Sequence, residues 1–518
     1  MSMRRSGPTP APTRPASARL AWGALALSVT LGASAGALAA EPQGPRELDP
    51  RATETEFDPA LFGPDPSYED KPYDPMLQRD IYGGKRALDE PRPIFEIGRR
   101  QYTTGPFVEG INVIGERNLL FPGLNVFGDF RSAVAWNDNG AAESGELRAR
   151  LNLEVDLKLT ATERIHALFQ PIDDGGQFFG RSFGGNRKNN GRIDVDASPE
   201  TLFFEGDAGA IYGGLAGKAS PKDIPFAVGL TPFLMQNGIW IEDALLGGGF
   251  SIPSFNSPAL DISNADVTFF AAYEDVTSPA FKDAAGNLTD QDVALYAVAA
   301  FIETRGGYME AGLGYLDGRD VQSDLDYWNA TLSFTRRYGG WLSNSVRAIA
   351  NFGQEPDAGR KQTADGFLFL VENSLITSMP LQLIPYANFF LGIDRPQSLA
   401  RAAGAGGVLK NTGINFETDG LTGFPKLDDT AADTYGGALG IQYLFNLDQQ
   451  LVVELATVQT LRGDNVADQA AKGAQYAIGA RYQIPVTDRV ILRTDAMYGV
   501  RGNQEDIAGA RFEVRVKF

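Results

Sequence analysis

The sequence predicts an all-β fold, a transmembrane antiparallel up-and-down β-barrel of about eighteen strands (sixteen is the alternative), preceded by an irregular N-terminal segment. Three observations predict it. Long stretches alternate apolar and polar residues one by one. A basic, then apolar, then small-residue leader opens the chain. The last stretch alternates as well and stops on Phe518.

The leader comes first. Arg4, Arg5, Arg14 and Arg19 give a basic start, residues 20–40 carry no charge, and the run ends Gly36-Ala37-Leu38-Ala39-Ala40. Ala37 and Ala39 fit a small-residue cleavage site, so residues 1–40 read as a signal peptide. Its removal takes four arginines, and the formal charge moves from -19 to -23. No other stretch approaches the roughly 20 apolar residues that a membrane helix needs. Residues 41–108 follow, rich in proline and in acids such as Glu47, Asp49, Glu54 and Asp58, with little periodicity. Such a composition buries too little apolar surface to order itself. Either it is a flexible periplasmic tail, or it plugs the barrel or docks a periplasmic partner.

The barrel is expected over residues 109–518. In Leu147–Leu159 every odd position is apolar or alanine, from Leu147 and Ala149 to Leu157 and Leu159. The even positions are Arg148, Arg150, Asn152, Glu154, Asp156 and Lys158. Side chains on a strand point alternately to its two faces, so this strand has one oily face and one charged face. On a helix the same residues would spread around every side. A tilted membrane strand needs about 9–11 residues, which this one provides. The pattern recurs around Trp328, Tyr476 and Val490, and in the last strand, where Phe512, Val514, Val516 and Phe518 alternate with Arg511, Glu513, Arg515 and Lys517. The 59 glycines and 10% aromatic residues suit many turns and interfacial belts. A mean hydropathy of -0.19 is compatible with a barrel, because only alternate residues face lipid.

Connections fall into short ones, such as 337–340 and 485–488, and long ones, such as 173–198 and 394–433. Barrels have short periplasmic turns and long outer loops. The rule works back from the last strand but conflicts between Asp223 and Asp292, where one strand is missing from a count of about seventeen. The segment 232–264 in that region reads as a long connection. It is a candidate constriction loop carrying Phe233, Gln236, Asn237, Trp240, Phe255 and Asn256; an external flap or an irregular strand pair is the alternative.

On the polar faces arginines gather at both ends of the barrel. Arg131, Arg148 and Arg150 belong to its first two strands, and Arg481, Arg489, Arg493, Arg511 and Arg515 to its last three. Closure sets first and last strands side by side, so these eight would form one basic wall lining the lumen. Lumenal guanidinium groups favour anions. Asp129, Glu154, Asp156, Asp495 and Glu513 share those faces, and salt-bridged walls of purely structural purpose arise the same way.

Several chemistries are excluded. Without cysteine there is no disulfide, thiolate or covalent haem site, and the single histidine, His166, cannot build a multi-histidine metal centre. There is no serine-hydrolase elbow and no phosphate loop. The acidic balance argues against nucleic acid. No catalytic residue, metal or cofactor is expected.

A chain closing on phenylalanine after alternating apolar residues resembles the insertion signal of bacterial outer-membrane barrels, which implies recognition of Phe518 by the barrel-assembly machinery. With the leader and the strands, the chain resembles a Gram-negative porin, and in size it resembles the alginate-export family of eighteen-stranded barrels. The resemblance implies an outer-membrane protein, in contact with outer-membrane lipid, that passes small solutes, with anions the class a basic wall would favour. A polysaccharide exporter handling polyanions, and a non-transporting sheath or docking barrel, are the alternatives.

Overall fold

The computed structural model describes residues 92–98, 109–173, 178–184, 194–281, 293–319, 323–417, 421–445, 448–466 and 469–518. The signal peptide read over 1–40 and most of the acidic segment 41–108 lie outside them.

Eighteen strands close into one barrel. They are β1 (Gly123–Asp138), β2 (Glu143–Lys158), β3 (Arg164–Phe169), β4 (Pro199–Asp207), β5 (Pro225–Met235), β6 (Ile241–Ser257), β7 (Ile262–Glu274), β8 (Val293–Thr304) and β9 (Gly307–Gly318). The second half comprises β10 (Tyr327–Tyr338), β11 (Leu342–Phe352), β12 (Phe367–Leu375), β13 (Leu383–Ile393), β14 (Thr434–Phe445), β15 (Gln449–Thr460), β16 (Gln475–Pro485), β17 (Val490–Arg501) and β18 (Ile507–Lys517). Each pairs antiparallel with its sequence neighbours, and β18 closes on β1 through the register Asp129↔Lys517 to Asp138↔Ala508. Closure satisfies the backbone groups that an open sheet edge would leave unpaired, the condition for standing in hydrocarbon.

The expected alternation sets the faces. On β2, Leu147 is 45% exposed on the outside while Glu146 and Arg148 are 3% and 2% exposed inside. Outward aromatics form two belts. Trp136, Tyr296, Trp328, Tyr435, Tyr476 and Tyr498 lie at one end of their strands, and Tyr338, Trp341 and Phe445 at the other. Such rings prefer the membrane–water boundary.

The near rim, where β1 starts and β18 ends, carries tight connections. Between β8 and β9 the two-residue link Arg305-Gly306 has both φ values positive, at 51° and 66°, the geometry that matches hairpin twist. The helix α1 (Ala208–Ala216) bridges β4 and β5 on this rim, capped by Asp207, which accepts from the Ala210 amide. Tyr212, 49% exposed, sits on this helix and not at a strand end. Phe95–Gly98 pairs antiparallel with Val126–Gly123, along the part of β1 that extends below β18.

One expectation is corrected. Residues 232–264 are not a long structureless connection. Pro232–Met235 ends β5, residues 236–240 make a turn, Ile241–Ser257 is a 17-residue strand, and the short Pro258–Leu260 helix leads into β7. This supplies the missing strand between Asp223 and Asp292. The glycines at 247–249 and register shifts at Ile252, Phe255 and Ser257 interrupt the period of two, which hid it.

The lumen is not uniformly wet. A buried apolar cluster fills its far half, built from Trp240, Leu245, Phe270, Leu295, Leu316, Tyr327, Leu368, Leu399 and Phe416 among others. The 236–240 turn, part of the candidate constriction segment, supplies members of it, and so does the 394–433 connection, which the loop-length rule counted among the outer loops.

Candidate functional site

The charged wall runs across five adjacent strands, β16, β17, β18, β1 and β2, as closure requires. Cross-strand register places Arg150 opposite Arg131 and Arg131 opposite Arg515. Towards the far rim, Arg493 faces Glu513, and Arg481 and Arg511 both face Asp495.

The structure distributes the eight predicted arginines among three settings. Arg131, Arg150, Arg481, Arg493 and Arg515 stand on the inner face and are partly exposed. Arg148 and Arg511 are also on inward positions but are 2% and 3% exposed. Arg148 is covered by the Phe178–Gly184 stretch, where it donates to Ser182 Oγ at 2.6 Å and the Phe178 carbonyl at 3.3 Å. The Arg511 guanidinium lies 5.4 Å from the ring of Phe424. Arg489 is not in the wall at all: it belongs to the near-rim turn, exposed, with its carbonyl accepting from the Lys517 amide.

Acids answer most of these cations. Arg131 makes a two-armed contact with Glu513 at 2.8 and 2.9 Å. Asp495 takes Arg481 at 2.7 Å, Arg493 at 2.9 Å and Arg511 at 2.7 Å. Arg148 pairs with Glu146 at 2.7 Å, and Arg515 pairs with Asp129. Arg150 differs: it donates to Asn152 Oδ1 at 2.7 Å, sits 5.0 Å from the Phe178 ring, and has no carboxylate within ion-pair distance among the described residues.

A further carboxylate reaches the wall from the 394–433 connection. Glu417 Oε2 lies 2.7 Å from Arg481, and Oε1 lies 3.5 Å from Arg493. Burial pushes the Glu417 carboxyl up, but Arg481 and Arg493 outweigh it and hold it below the usual carboxylate range. The loop is anchored just before this residue. The amides of Ile414 and Asn415 donate to Glu454, a wall carboxylate of β15 with 0% exposure, at 3.0 and 2.9 Å. Asn388 donates to the Thr412 carbonyl at 2.6 Å, and Phe416 packs edge-on against Phe390.

The candidate constriction residues divide. Trp240 points inward, donating from Nε1 to Asn329 Oδ1 at 2.7 Å, and Gln236 Oε1 accepts from Thr331 Oγ1 at 2.8 Å. Both partners stand on the inner face of β10. Phe233 stacks on Phe270 with ring centroids 4.9 Å apart, and the Asn237 carbonyl accepts from Asn411 at 2.7 Å. Phe255 and Asn256 are exposed at the opposite end of β6, away from this group. The turn needs three successive left-handed residues, Gln236, Asn237 and Gly238 at φ 53°, 57° and 74°. Arg401, 2% exposed, ties the turn to the long loop by donating to the Gly238 carbonyl and to Ser398 Oγ and by pairing with Glu242. Trp240 also requires a bare wall: a Cβ on Gly312 would lie 2.3 Å from the indole.

Sequence reasoning missed Glu417, Glu454 and Arg401. The available signal was apolar residues at inward positions, such as Leu295, Leu316, Ile349 and Leu368, which only an inward-folded loop could cover.

His166 lies on the inner side of β3, 3.5 Å from Glu154. Phe518 exchanges both backbone hydrogen bonds with Gly128, at 2.8 and 3.0 Å. No group of acids and histidine able to hold a metal occurs among the described residues.

No protein-family model matches the chain, and no curated protein matches its sequence. Among solved structures it is similar to Pseudomonas aeruginosa OccK2 (OpdF), at 11% identity and a TM-score of 0.49, covering 76% of this chain and 97% of that one. It is similar to Pseudomonas aeruginosa OccK9 (OpdG), at 12% identity and TM-score 0.49, covering 76% and 98%. For Acinetobacter baumannii OccAB4 the values are 10% and 0.47, covering 76% and 97%.

Proposed function

We propose that the chain is an outer-membrane channel of a Gram-negative bacterium that passes small solutes and favours anions. The observation that carries this reading is the sidedness of the closed barrel: apolar side chains and two aromatic belts outside, and a charged wall within that is rich in arginine. That division suits hydrocarbon on one face and water on the other. The near rim, with its tight turns, is then periplasmic and the far rim external. The apolar cluster draws most heavily on β6 to β13, and the arginines that stay partly exposed stand along β16 to β2, so the passage runs past Arg150, Arg131, Arg481 and Arg493. Guanidinium groups in a lumen attract anions, and Arg150, with no carboxylate partner among the described residues, is the strongest point of attraction.

The narrowing suits a small solute better than a polymer, so polysaccharide export of the alginate type is the weaker reading. Arg131, Arg148, Arg481, Arg493, Arg511 and Arg515 spend much of their charge on neighbouring acids, which also weakens a role in passing long polyanions. A non-transporting sheath would not need a charged passage. Phe518, fixed on Gly128 at the barrel seam, is the residue through which assembly machinery would recognise the chain.

The test is planar-bilayer recording on the purified barrel in a potassium chloride gradient. The expected result is steady conductance with a reversal potential displaced towards that of chloride. A barrel that inserts fully and carries no current would overturn the reading.

A further inference from the structure

We propose that α1 is an interfacial helix whose exposed apolar stripe lies in the phospholipid headgroup layer at the near rim, with Lys218 and Lys222 beside it in contact with anionic headgroup phosphates. The near rim is taken as periplasmic, as above, which makes the partner inner-leaflet phospholipid. What the barrel conducts does not enter.

The helix is built inside out. In Ala208–Ala216 the spacing i, i+4, i+7 puts Ala208, Tyr212 and Leu215 on one stripe, the arrangement by which a helix normally turns its apolar side to a core. Here that stripe is the exposed one: Tyr212 is 49% and Leu215 67% exposed, and Ala208 is exposed as well. The side that packs is glycine, since Gly209, Gly213 and Gly214 are buried. A Cβ on Gly209 would lie 2.1 Å from the Lys222 carbonyl oxygen, and one on Gly214 would lie 2.9 Å from the Asn118 Cβ and 3.1 Å from the Ile114 Cγ2. Beside Ile114, Val113 is 67% exposed, which adds to the uncovered apolar surface. The helix itself carries no charged residue.

Its position decides what meets the stripe. α1 joins β4 to β5, whose outer faces carry Leu202 and Val228, 46% and 53% exposed. Gly206 shares the outer face of β4 with Leu202 and Phe204, two and four residues away. A Cβ on Gly206 would lie 3.1 Å from the Glu163 Cγ, so Glu163 stands on the lipid side of that strand end. Glu163 accepts from Asn118 Nδ2 at 2.8 Å, and Asn118 abuts Gly214. The succession Gly206, Glu163, Asn118, Gly214 fixes α1 to the outer lip of the barrel. At that level the apolar stripe continues the lipid face of β4 and β5, and the bilayer itself covers it.

The charges suit the same partner. Lys218 and Lys222 follow the helix and are exposed, and the one acid between α1 and β5 is Asp223. Lys218 Nζ lies 5.8 Å from the centre of the Tyr212 ring. A tyrosine ring seated among the first acyl carbons with an ammonium beside it at the level of the phosphates is the arrangement that a membrane–water boundary favours. Anionic headgroups add an electrostatic attraction for each lysine near the surface.

The chain has no cysteine, so one introduced cysteine is a unique site for a label. The experiment uses the full-length barrel carrying L215C, labelled with an environment-sensitive fluorophore, in vesicles of phosphatidylethanolamine and phosphatidylglycerol. V228C, on the outer wall, is the lipid-facing reference and reports that the barrel has inserted. The L215C label is expected to emit to the blue of its value in water and to be quenched by lipids with a nitroxide near the headgroup, while aqueous iodide on both sides of the membrane leaves it bright. Quenching by iodide and not by lipid puts the stripe in water and overturns the proposal. Protection from both puts a protein there, such as a second copy of the chain, and overturns it as well. The lysines are tested by native mass spectrometry from neutral detergent: K218E/K222E is expected to lower the affinity for phosphatidylglycerol about tenfold and to leave that for phosphatidylcholine unchanged. Equal retention of phosphatidylglycerol by the variant and the unaltered chain overturns the headgroup contact. Vesicles hold the same lipids in both leaflets, so neither reading depends on the direction of insertion, and both stand for a barrel that carries no current.

Discussion

Along β16, β17, β18, β1 and β2 the inward positions include Arg481, Asp495, Arg511, Arg131 and Arg150. Along β8 to β12 they include Leu295, Leu316, Tyr327, Ile349 and Leu368, each at most 1% exposed. The strands are alike in pairing and outer face. The difference lies in what covers the inner face. On the second wall, Trp240 and Leu399 from two inward-folded segments are pressed against Gly312 and Gly314. On the first, the residues meet one another, partial water, and the polar or aromatic side chains Glu417 and Phe424 of the same long loop. An inward position in a barrel is thus not polar by rule. It is polar where water stays, and becomes apolar where the chain itself fills the lumen.

The sharpest way to break the contrast is to empty the filled side. Trp240→Ala removes a fully buried indole and its hydrogen bond to Asn329, at a cost of about 3–5 kcal/mol typical of large aromatic deletions. Denaturant unfolding in detergent checks the loss. The same variant is expected to conduct more, because the turn no longer seats on β9. A milder change at the edge of the same packing, Tyr386→Phe, deletes only the 2.5 Å hydrogen bond to Glu454 and costs about 1–2 kcal/mol. Equal losses in the two variants would mean that the indole adds no packing to the filled half.

Asp495→Asn tests the charged side. It leaves Arg481, Arg493 and Arg511 crowded around a neutral amide, with Glu417 and Glu513 still close. Removing one member of a buried ion-pair network typically costs about 3–5 kcal/mol, and lumenal water reduces this to about 2–3. Because the defect is unpaired positive charge, added chloride or sulfate restores part of the stability. A salt-independent loss would indicate a packing defect instead.

The same division explains what the sequence disclosed. The wet wall was legible because its two faces differ in chemistry at every step: Leu147 to Leu159 against Arg148 to Lys158 gives strand, orientation and neighbourhood at once. The filled wall resisted. In Phe367-Leu368-Phe369-Leu370 both faces are apolar, and in β6 the glycines at 247–249 and the shifts near Phe255 erase the period. The inward course of 394–433 is set by tertiary contacts, such as Glu454 with the Ile414 and Asn415 amides, which leave no local periodicity. Of the candidate site, closure alone put the arginines on one wall. Their division into exposed, buried and rim positions depended on loops that strand pattern does not encode.

A smaller effect is expected where the two regions are stitched together by the long loop. Burial, and then the neighbouring Asp429, push the Asp428 carboxyl up to about 6, with Lys426 opposing weakly. Its ordinary value is 3.8. Between those two values the folded chain holds more protons than the unfolded chain, so stability falls as pH rises through that window. Asp428→Asn mimics the protonated form. It is expected to raise stability at pH 7 by about 1–2 kcal/mol and to change nothing near pH 4, which flattens the unfolding profile between the two. An unchanged slope across that range would place Asp428 in water rather than under the loop.

The last comparison sets Arg150 against Arg489, two arginines predicted to share one wall. Arg150 stands at mid-height of β2 without a carboxylate partner among the described residues, whereas Arg489 lies in a near-rim turn, 3.7 Å from Asp488. Neither holds the fold together, so Arg150→Glu and Arg489→Glu should each alter stability by less than about 1 kcal/mol. Their effects on ion preference should differ. A unit charge in a water-like medium contributes about 1 kcal/mol at 4 Å and falls off with distance and salt. Reversal inside the narrowed passage should then lower the anion-to-cation permeability ratio on the order of threefold, and reversal at the open rim should leave it nearly unchanged. Equal shifts would mean that selectivity is set by the mouth rather than by the wall. A null result for both would reduce the wall to a lattice of ion pairs with no part in choosing the solute.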